Sequence, residues 1–480
     1  MVARMKSEEI GDLHLLSPLL LVGLALFAGP VLEFVPSLMW HDRQRIEQIV
    51  LLLAASLAAA TIWHKAILLT LAYFPKWVRW ALGLGFTLGI VSVGLSTFPR
   101  FASLEWATFL LLLVLAFLLA GQARLGGARF DTWAMRLLVA VSVVIVLKTM
   151  MGYLAAAVGG LQLESIALFA SSFSNRRVFG QVASVVIPLL AYPLMNGGAS
   201  RVQRLGVFVL LAMWWMLAIG SGTRGTWMAL TVAAAVLAAC AWRACAGWLK
   251  IQLMALGMGA LLYGVLFVWL PGGLGQEATL ENRLSDVATL SGRGELWAVA
   301  WMQIQMHPWL GAGPMHLAAI PVKFGAHPHN AVLQLAAEWG VPAALALLLP
   351  AVYGVLRLLA RLRQQASPNL LLVCLTASLL AACAQSMVDG VIVIPYTQIW
   401  LALVAGWALG VYFRDVALIP VVADSRMMRL GISVLSLFTF AVLLNGVFPE
   451  VLNRVEATRA FVEAGNNYIP PRYWAAGRIP

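Results

Sequence analysis

The chain has 480 residues, of which 62% are hydrophobic and 11% charged, and its mean hydropathy is +0.88. Soluble domains carry roughly 25% charged residues, so this composition, with 19 Trp and 41 Gly, excludes an ordinary soluble enzyme and places the chain in the membrane class. The net charge of +12 would suit nucleic acid in a soluble protein, but here the basic residues sit in short stretches between apolar runs, so topology explains it and no nucleic-acid partner is expected.

In chain order, Met1 to Asp12 is mixed in charge. The first apolar run is too long for a signal peptide and has no small-residue cleavage site after it, which predicts a retained helix. A helix needs about 20 apolar residues to cross the hydrocarbon core. Runs that meet or approach this lie near 15–35, 47–64, 78–98, 105–122, 134–158, 178–197, 204–221, 225–242, 250–271, 335–356, 368–388, 396–413 and 430–448. They predict an all-α polytopic membrane protein with twelve or thirteen transmembrane helices, in which the stretch 66–75 is too short to cross alone. No repeat with a period of about 20–50 residues is visible, and no segment is long enough for a separate soluble domain. Cys240, Cys374 and Cys383 fall in apolar runs and Cys245 in a short basic stretch. Without CxxC or metal-ligand spacing they read as small packing residues.

The loops divide by charge. One set holds Lys65, Lys76 and Arg79, then Arg124, Arg129 and Arg136, Arg201 and Arg204, Arg243 and Lys250, Arg357, Arg361 and Arg363, and Arg414, Arg426 and Arg429. These are 16 of the 32 basic residues, they alternate strictly with the other loops, and the positive-inside rule makes their face cytoplasmic. The opposite face receives 36–46, 99–104, 159–177, 222–224, 272–334 and 389–395, of which only 272–334 is long. The tail 449–480 falls on that face with thirteen spans and inside with twelve.

The outer face gathers the chemistry. A short turn reads Ser221-Gly222-Thr223-Arg224-Gly225, and its small residues let the backbone bend and set Arg224 at the membrane edge. The long loop carries Ser291-Gly292-Arg293-Gly294-Glu295-Leu296-Trp297, then His307-Pro308-Trp309-Leu310-Gly311-Ala312-Gly313, and ends at His327-Pro328-His329-Asn330. Helical spacing over 295–306 puts Trp297, Trp301 and Ile304 on one face, and Pro308 stops the helix. Arg176 and Arg177 enter a span on this side, Glu338 lies in the first turns of another, and Asp389 closes a third.

Arginine forks bind phosphate oxygens and stay charged, and a histidine can take a proton from a hydroxyl near neutral pH. Together they suit transfer from a lipid-pyrophosphate donor, whose leaving group needs anion stabilisation and one base. His329 is the candidate base, against the plain alternative of a loop residue ahead of a helix. Arg224 could instead snorkel to headgroups and Arg293 be a solvated loop charge. Arg176 and Arg177 could bind lipid phosphates generally. Lys148, inside the fifth span, is a candidate phosphate contact because a charge there is costly. Asp389 and Glu338 could pair with the arginines in either a chemical or a structural role. His327 and His329 lack an obvious third ligand for a metal, so neither metal nor cofactor is expected. The tryptophans read first as interfacial belts. A transporter would show internal symmetry and midplane charge, whereas these polar groups gather at one face.

The series SGTRG, SGRGELW, HPWLGAG and then HN, with Gly340 ten positions after Asn330, resembles the O-antigen ligase and polymerase superfamily over roughly residues 178–415. The resemblance implies a GT-C-like, metal-independent, inverting glycosyltransferase of a Gram-negative inner membrane, with its active site facing the periplasm. The expected partners are an undecaprenyl-pyrophosphate-linked polysaccharide, a lipid A–core acceptor and membrane lipids. His329 would activate the acceptor hydroxyl, Arg224 and Arg293 would hold the pyrophosphate, and Asn330 would orient the histidine. The motif closes as Gly340-Val341-Pro342-Ala343 instead of with a second glycine. The same resemblance admits an O-antigen polymerase or a protein O-oligosaccharyltransferase. The expected organisation is N-terminal transmembrane helices over 1–177, a ligase-like core over 178–415 including loop 272–334, and a C-terminal hydrophobic segment and tail over 416–480.

Overall fold

A computed structural model describes residues 12–34, 37–160, 172–198, 200–270, 292–322, 325–365, 367–416, 426–463, 471–477 and 479. Every regular element among them is helical. Hydrocarbon surroundings require this, because a helix satisfies its backbone groups internally and an open strand does not. The helices are α1 (Asp12–Ala28), α2 (Trp40–Thr61), α3 (His64–Tyr73), α4 (Lys76–Leu95), α5 (Pro99–Val158), α6 (Arg176–Leu190), α7 (Arg201–Ser221) and α8 (Arg224–Tyr263). There follow α9 (Arg293–Met306), α10 (Ala331–Trp339), α11 (Val341–Gln364), α12 (Leu370–Gln385), α13 (Pro395–Phe413), α14 (Arg426–Val451) and α15 (Arg454–Glu463).

Among the described residues eight helices are long and apolar enough to cross a membrane, and a ninth crossing results if α2 and α3, bent by 86° at their junction, form one span. The chain is an all-α, multi-pass membrane protein. Two of the eight are very long. A straight helix of α5's 60 residues would measure about 90 Å against a hydrocarbon core of about 30 Å, so it cannot cross as one rod. It breaks at Gly127, whose φ of 52° favours glycine, and α8 breaks at Ala241. The connections expected as loops are tight breaks at these two residues, and the basic residues beside them lie in helical turns: Arg124, Arg129 and Arg136 in α5, and Arg243, Cys245 and Lys250 in α8. Arginine and lysine are good helix formers, so a polar stretch between apolar runs need not end a helix.

Two further expectations are corrected. The outer loop 36–46 is helical from Trp40 onward, and His41 to Arg45 are buried in the first turns of α2. The single run at 335–356 is two helices, split at Gly340 with φ 87°. The carbonyl of Trp309 occupies the space a Cβ at Gly340 would take. Val341 N donates to Pro308 O at 2.9 Å, Ala312 N to Ala337 O at 2.9 Å, and Gly313 N to Glu338 O at 3.0 Å. The His307–Gly313 motif is thus laced onto the α10–α11 junction.

The two ends of the bundle differ. At the basic end Arg414 forks onto Asp131 at 2.5 and 2.7 Å, Arg361 meets Asp415 at 2.5 Å, and Arg124 donates to Val416 O at 2.7 Å. Stretches expected to share a face therefore do meet. At the other end lie the starts of α2, α5, α6 and α10 together with residues 471–477 and 479. The tryptophans divide between roles: Trp214, Trp339, Trp400 and Trp407 are fully buried, and Trp339 stacks on Phe109, whereas Trp80, Trp269 and Trp309 are strongly exposed.

Candidate active site

The site begins with a turn that glycine permits. α7 ends at Gly222, φ 57°, and Arg224 opens α8. The hydroxyls of Ser221, Thr223 and Thr226 form a chain with 2.9 Å links, and Gln385 Nε2 donates to Thr226 Oγ1 at 3.3 Å. Gly180 of α6 lies against it, so that any Cβ there would collide with the Thr223 and Thr226 hydroxyls. The turn is rigid and presents Arg224 on the exposed side.

α6 starts beside it. The Asn175 side chain caps this helix, accepting from Arg177 N at 2.8 Å and Val178 N at 3.2 Å, and so fixes Arg176 and Arg177 at the positive end of the helix dipole. Nη1 of Arg176 is enclosed without a hydrogen-bond partner.

α9 delivers Arg293. Leu296, Ala300, Gln303 and Ile304 are its buried residues, and Trp297 Nε1 donates to Pro328 O at 2.9 Å. This ties the helix to the histidine turn. Of the three residues expected on one face, Ile304 is buried, Trp297 is half-buried and Trp301 is 55% exposed. Ser291 lies outside the described residues. Nε of Arg293 is enclosed and makes no hydrogen bond. Burial lowers the pKa of Arg293, with Arg177 and Arg224 adding to this and Asp389 opposing it. Arg177, Arg224 and Asp389 are therefore each within electrostatic reach of Arg293.

The histidine turn is stitched to the segment after α12. Ala331 N donates to Ser386 O at 2.8 Å and Asn330 Nδ2 to Met387 O at 3.0 Å, while Asn330 Oδ1 caps α10 by accepting from Leu333 N at 3.0 Å. His329 has φ 53°, a left-handed conformation that costs energy for any residue with a Cβ and is often met at functional sites. Its backbone N–H donates to His327 Nδ1 at 3.2 Å, and the two rings lie 4.1 Å apart. Its Nδ1 is 3.7 Å from Asp389 Oδ1, which also accepts from Gly390 N at 2.8 Å. Burial would raise the carboxyl of Asp389, but His329, the Gly390 N–H and Arg177 outweigh it and hold it below the usual carboxylate range. His327 is pushed well below the usual imidazole value, first by burial and then by His329, Arg472, His41 and Arg177, and it stays neutral.

Of the residues singled out by sequence, Arg177, Arg224, Arg293, His329 and Asp389 converge, Asn330 adjoins them, and Arg176 neighbours Arg177. Two stand apart. Lys148 Nζ donates to Pro30 O at 2.8 Å and lies 4.5 Å from the centre of the Trp40 ring. Glu338 is fully buried and pairs with an arginine absent from the sequence-based set, Arg472, at 2.5 Å. His327, considered from sequence only as a metal ligand, is the residue that receives the His329 N–H. Arg472 could have been suspected from its surroundings, since Pro470-Pro471-Arg472-Tyr473-Trp474 is too aromatic for a solvated tail.

Residues 206–348 match the family model described as O-antigen ligase. The matched segment contains Arg224, Arg293 and His329, while Arg177 and Asp389 flank it. No curated protein matches the chain.

Proposed function

We propose, from the premise that this chain belongs to the O-antigen ligase superfamily, that it transfers O-antigen polysaccharide from undecaprenyl pyrophosphate to the outer sugar of lipid A–core. The observation that carries this reading is the meeting of the His329–Asp389 pair with Arg177, Arg224 and Arg293. The proposal includes about twelve crossings of a Gram-negative inner membrane and a GT-C-like architecture. The site faces the periplasm because the opposite end is the basic one.

The mechanism follows from the groups present. Closing the 3.7 Å gap between His329 Nδ1 and Asp389 to about 3 Å makes a hydrogen bond. That bond fixes the proton on Nδ1, leaves Nε2 as the base, and stabilises the imidazolium that forms. Nε2 takes the proton of the acceptor hydroxyl as its oxygen attacks the anomeric carbon from the face opposite the pyrophosphate. The glycosidic bond to the donor breaks with inversion. Undecaprenyl pyrophosphate departs with its bonding electron pair, and the guanidinium groups of Arg224 and Arg293, aided by Arg176 and Arg177, hold the growing charge. Enclosed guanidinium nitrogens without hydrogen-bond partners on Arg176 and Arg293 supply donors for the pyrophosphate oxygens.

The test is transfer by the purified enzyme from a defined lipid-linked donor to lipid A–core, with His329→Asn as control, since asparagine tolerates the left-handed backbone. The expected result is a glycosylated lipid A–core with the native enzyme, and a loss on the order of 10²–10⁴-fold with the variant while donor binding persists. Longer lipid-linked chains would point instead to a polymerase and glycosylated protein to an oligosaccharyltransferase. Carriage of glycan across liposomes with no transfer at all would end the enzyme reading.

A further inference from the structure

We infer that Arg472 is a positioning residue for the site: by bridging Glu338 of α10 to Glu105 of α5 it fixes the helix from which the His329 turn projects. The inference rests on the reading of His329 as the base.

One nitrogen of Arg472, Nη2, lies 2.5 Å from a carboxylate oxygen of Glu338 and 2.5 Å from one of Glu105. Arg472 is 1% exposed and Glu338 0%. Glu338 is held at two more points: its Oε1 accepts from Leu317 N at 3.1 Å and its carbonyl from Ser92 Oγ at 3.2 Å. It lies at the C-terminal end of α10, whose nine residues span about 13 Å. The opposite end of that helix is Asn330, capped and tied to Met387, with His329 directly before it. α10 is therefore a short strut. One end is pinned by the charge cluster and the other carries the candidate base.

The segment around Arg472 is itself gripped by polar groups of α2. Tyr473 O accepts from Arg45 Nε at 2.8 Å and His41 Nε2 lies 3.1 Å from it, Arg45 Nη2 donates to Val393 O at 2.7 Å, and Ala475 N donates to Asp42 Oδ1 at 2.6 Å. Ile479 N donates to Ala318 O at 3.2 Å, beside the Leu317 that binds Glu338. Apolar side chains would hold a peptide on a helical bundle without desolvating Arg45, Glu105, Glu338 and Arg472. Charged contacts instead fix one register, because a displaced segment leaves buried charge uncompensated. Precision of placement is what a proton-transferring group needs, since a misplacement of about 1 Å can cost on the order of 100-fold in rate.

The experiment uses the full chain in lipid nanodiscs, with a lipid-pyrophosphate-linked oligosaccharide as donor and lipid A–core as acceptor. Arg472→Met is expected to elute as a single folded species. Its kcat should fall roughly 10- to 100-fold with the KM for the donor nearly unchanged. Because both carboxylates meet one nitrogen, Arg472→Lys should recover most of the kcat. If Arg472→Met does not fold, the triple variant Arg472→Met, Glu105→Gln, Glu338→Gln removes the bridging charge together with both of its partners, and the same loss of kcat is expected of it. A folded Arg472→Met or triple variant with native kcat overturns the inference, as does a loss confined to donor KM. If those variants are native-like while His329→Asn is inactive, the positioning role fails and the proposed base survives. If His329→Asn is itself fully active, the reading of the site fails first.

Discussion

At the scale of single residues, the site depends on two groups whose charge states are set by what surrounds them. Asp389 is buried yet held ionised by His329, the Gly390 N–H and Arg177. Asp389→Asn keeps the shape and removes the charge that stabilises an imidazolium on His329, so kcat should fall by about 10²-fold or more while donor binding holds, read in the same transfer assay. The same depressed pKa makes a stability prediction. A carboxyl that is more acidic when folded contributes stability present above its unfolded value of about 3.9 and lost as the pH falls through the folded one. The native protein should therefore lose more thermal stability than Asp389→Asn as the pH is lowered from 6 to below about 4, as followed by scanning fluorimetry in detergent. His327 has the opposite character: burial and neighbouring cations keep it neutral, and its Nδ1 serves as an acceptor for the His329 backbone. No sequence pattern distinguishes it from His329 two residues away, because the difference lies in which ring faces the cluster and which is enclosed.

At the scale of elements, the long loop acts as a clamp whose parts have separate duties. α9 brings Arg293 to the histidine turn, and one hydrogen bond, from Trp297 Nε1 to Pro328 O, joins them. Trp297→Phe keeps an aromatic side chain, though a smaller one, and loses the indole N–H and its bond. It should cost about 1 kcal/mol of stability and lower kcat, measured by thermal unfolding and by transfer. The His307–Gly313 motif has no charge in the cluster; its task is to hold the α10–α11 junction through backbone hydrogen bonds. Gly340 there has φ 87° and faces the Trp309 carbonyl, so Gly340→Ala should destabilise the fold by about 1–3 kcal/mol or more, visible as a lower melting temperature. Motif residues with catalytic and with structural duties look alike in the sequence. Arg224 and Arg293 were legible because an arginine on the face poor in basic residues calls for a reason. The split at Gly340 was not, because the apolar pattern runs through it without interruption. The helical start of α2 was hidden for a related reason: His41-Asp42-Arg43-Gln44-Arg45 reads as a polar loop until its buried partners are known.

At the scale of the whole molecule, charge bias and apolar length gave the class of fold, and the structure adds where the ends meet. The basic stretches converge on Asp131, Arg361 and Arg414, far in sequence from one another. The tight breaks at Gly127 and Ala241, with helix resuming among the basic residues beside them, escaped the loop assignment, since basic residues do not themselves end a helix. The pairing of Arg472 with Glu105 spans 367 positions and has no periodic signature. Topology can be checked directly. In a background freed of Cys240 and Cys383, which are exposed, a membrane-impermeant maleimide applied to spheroplasts should label Trp309→Cys and spare Met427→Cys. Both parent residues are exposed, at 75% and 83%. The reverse pattern would invert the proposed orientation.

The grip of α2 on residues 472–475 joins parts of the chain that lie far apart in sequence, 432 positions between His41 and Tyr473. While a ribosome is still threading helices into the bilayer, Arg177, Arg224, Arg293 and His329 can already have emerged, but the brace behind α10 has not. A chain that has not yet reached residue 472 therefore lacks the bridge between α5 and α10.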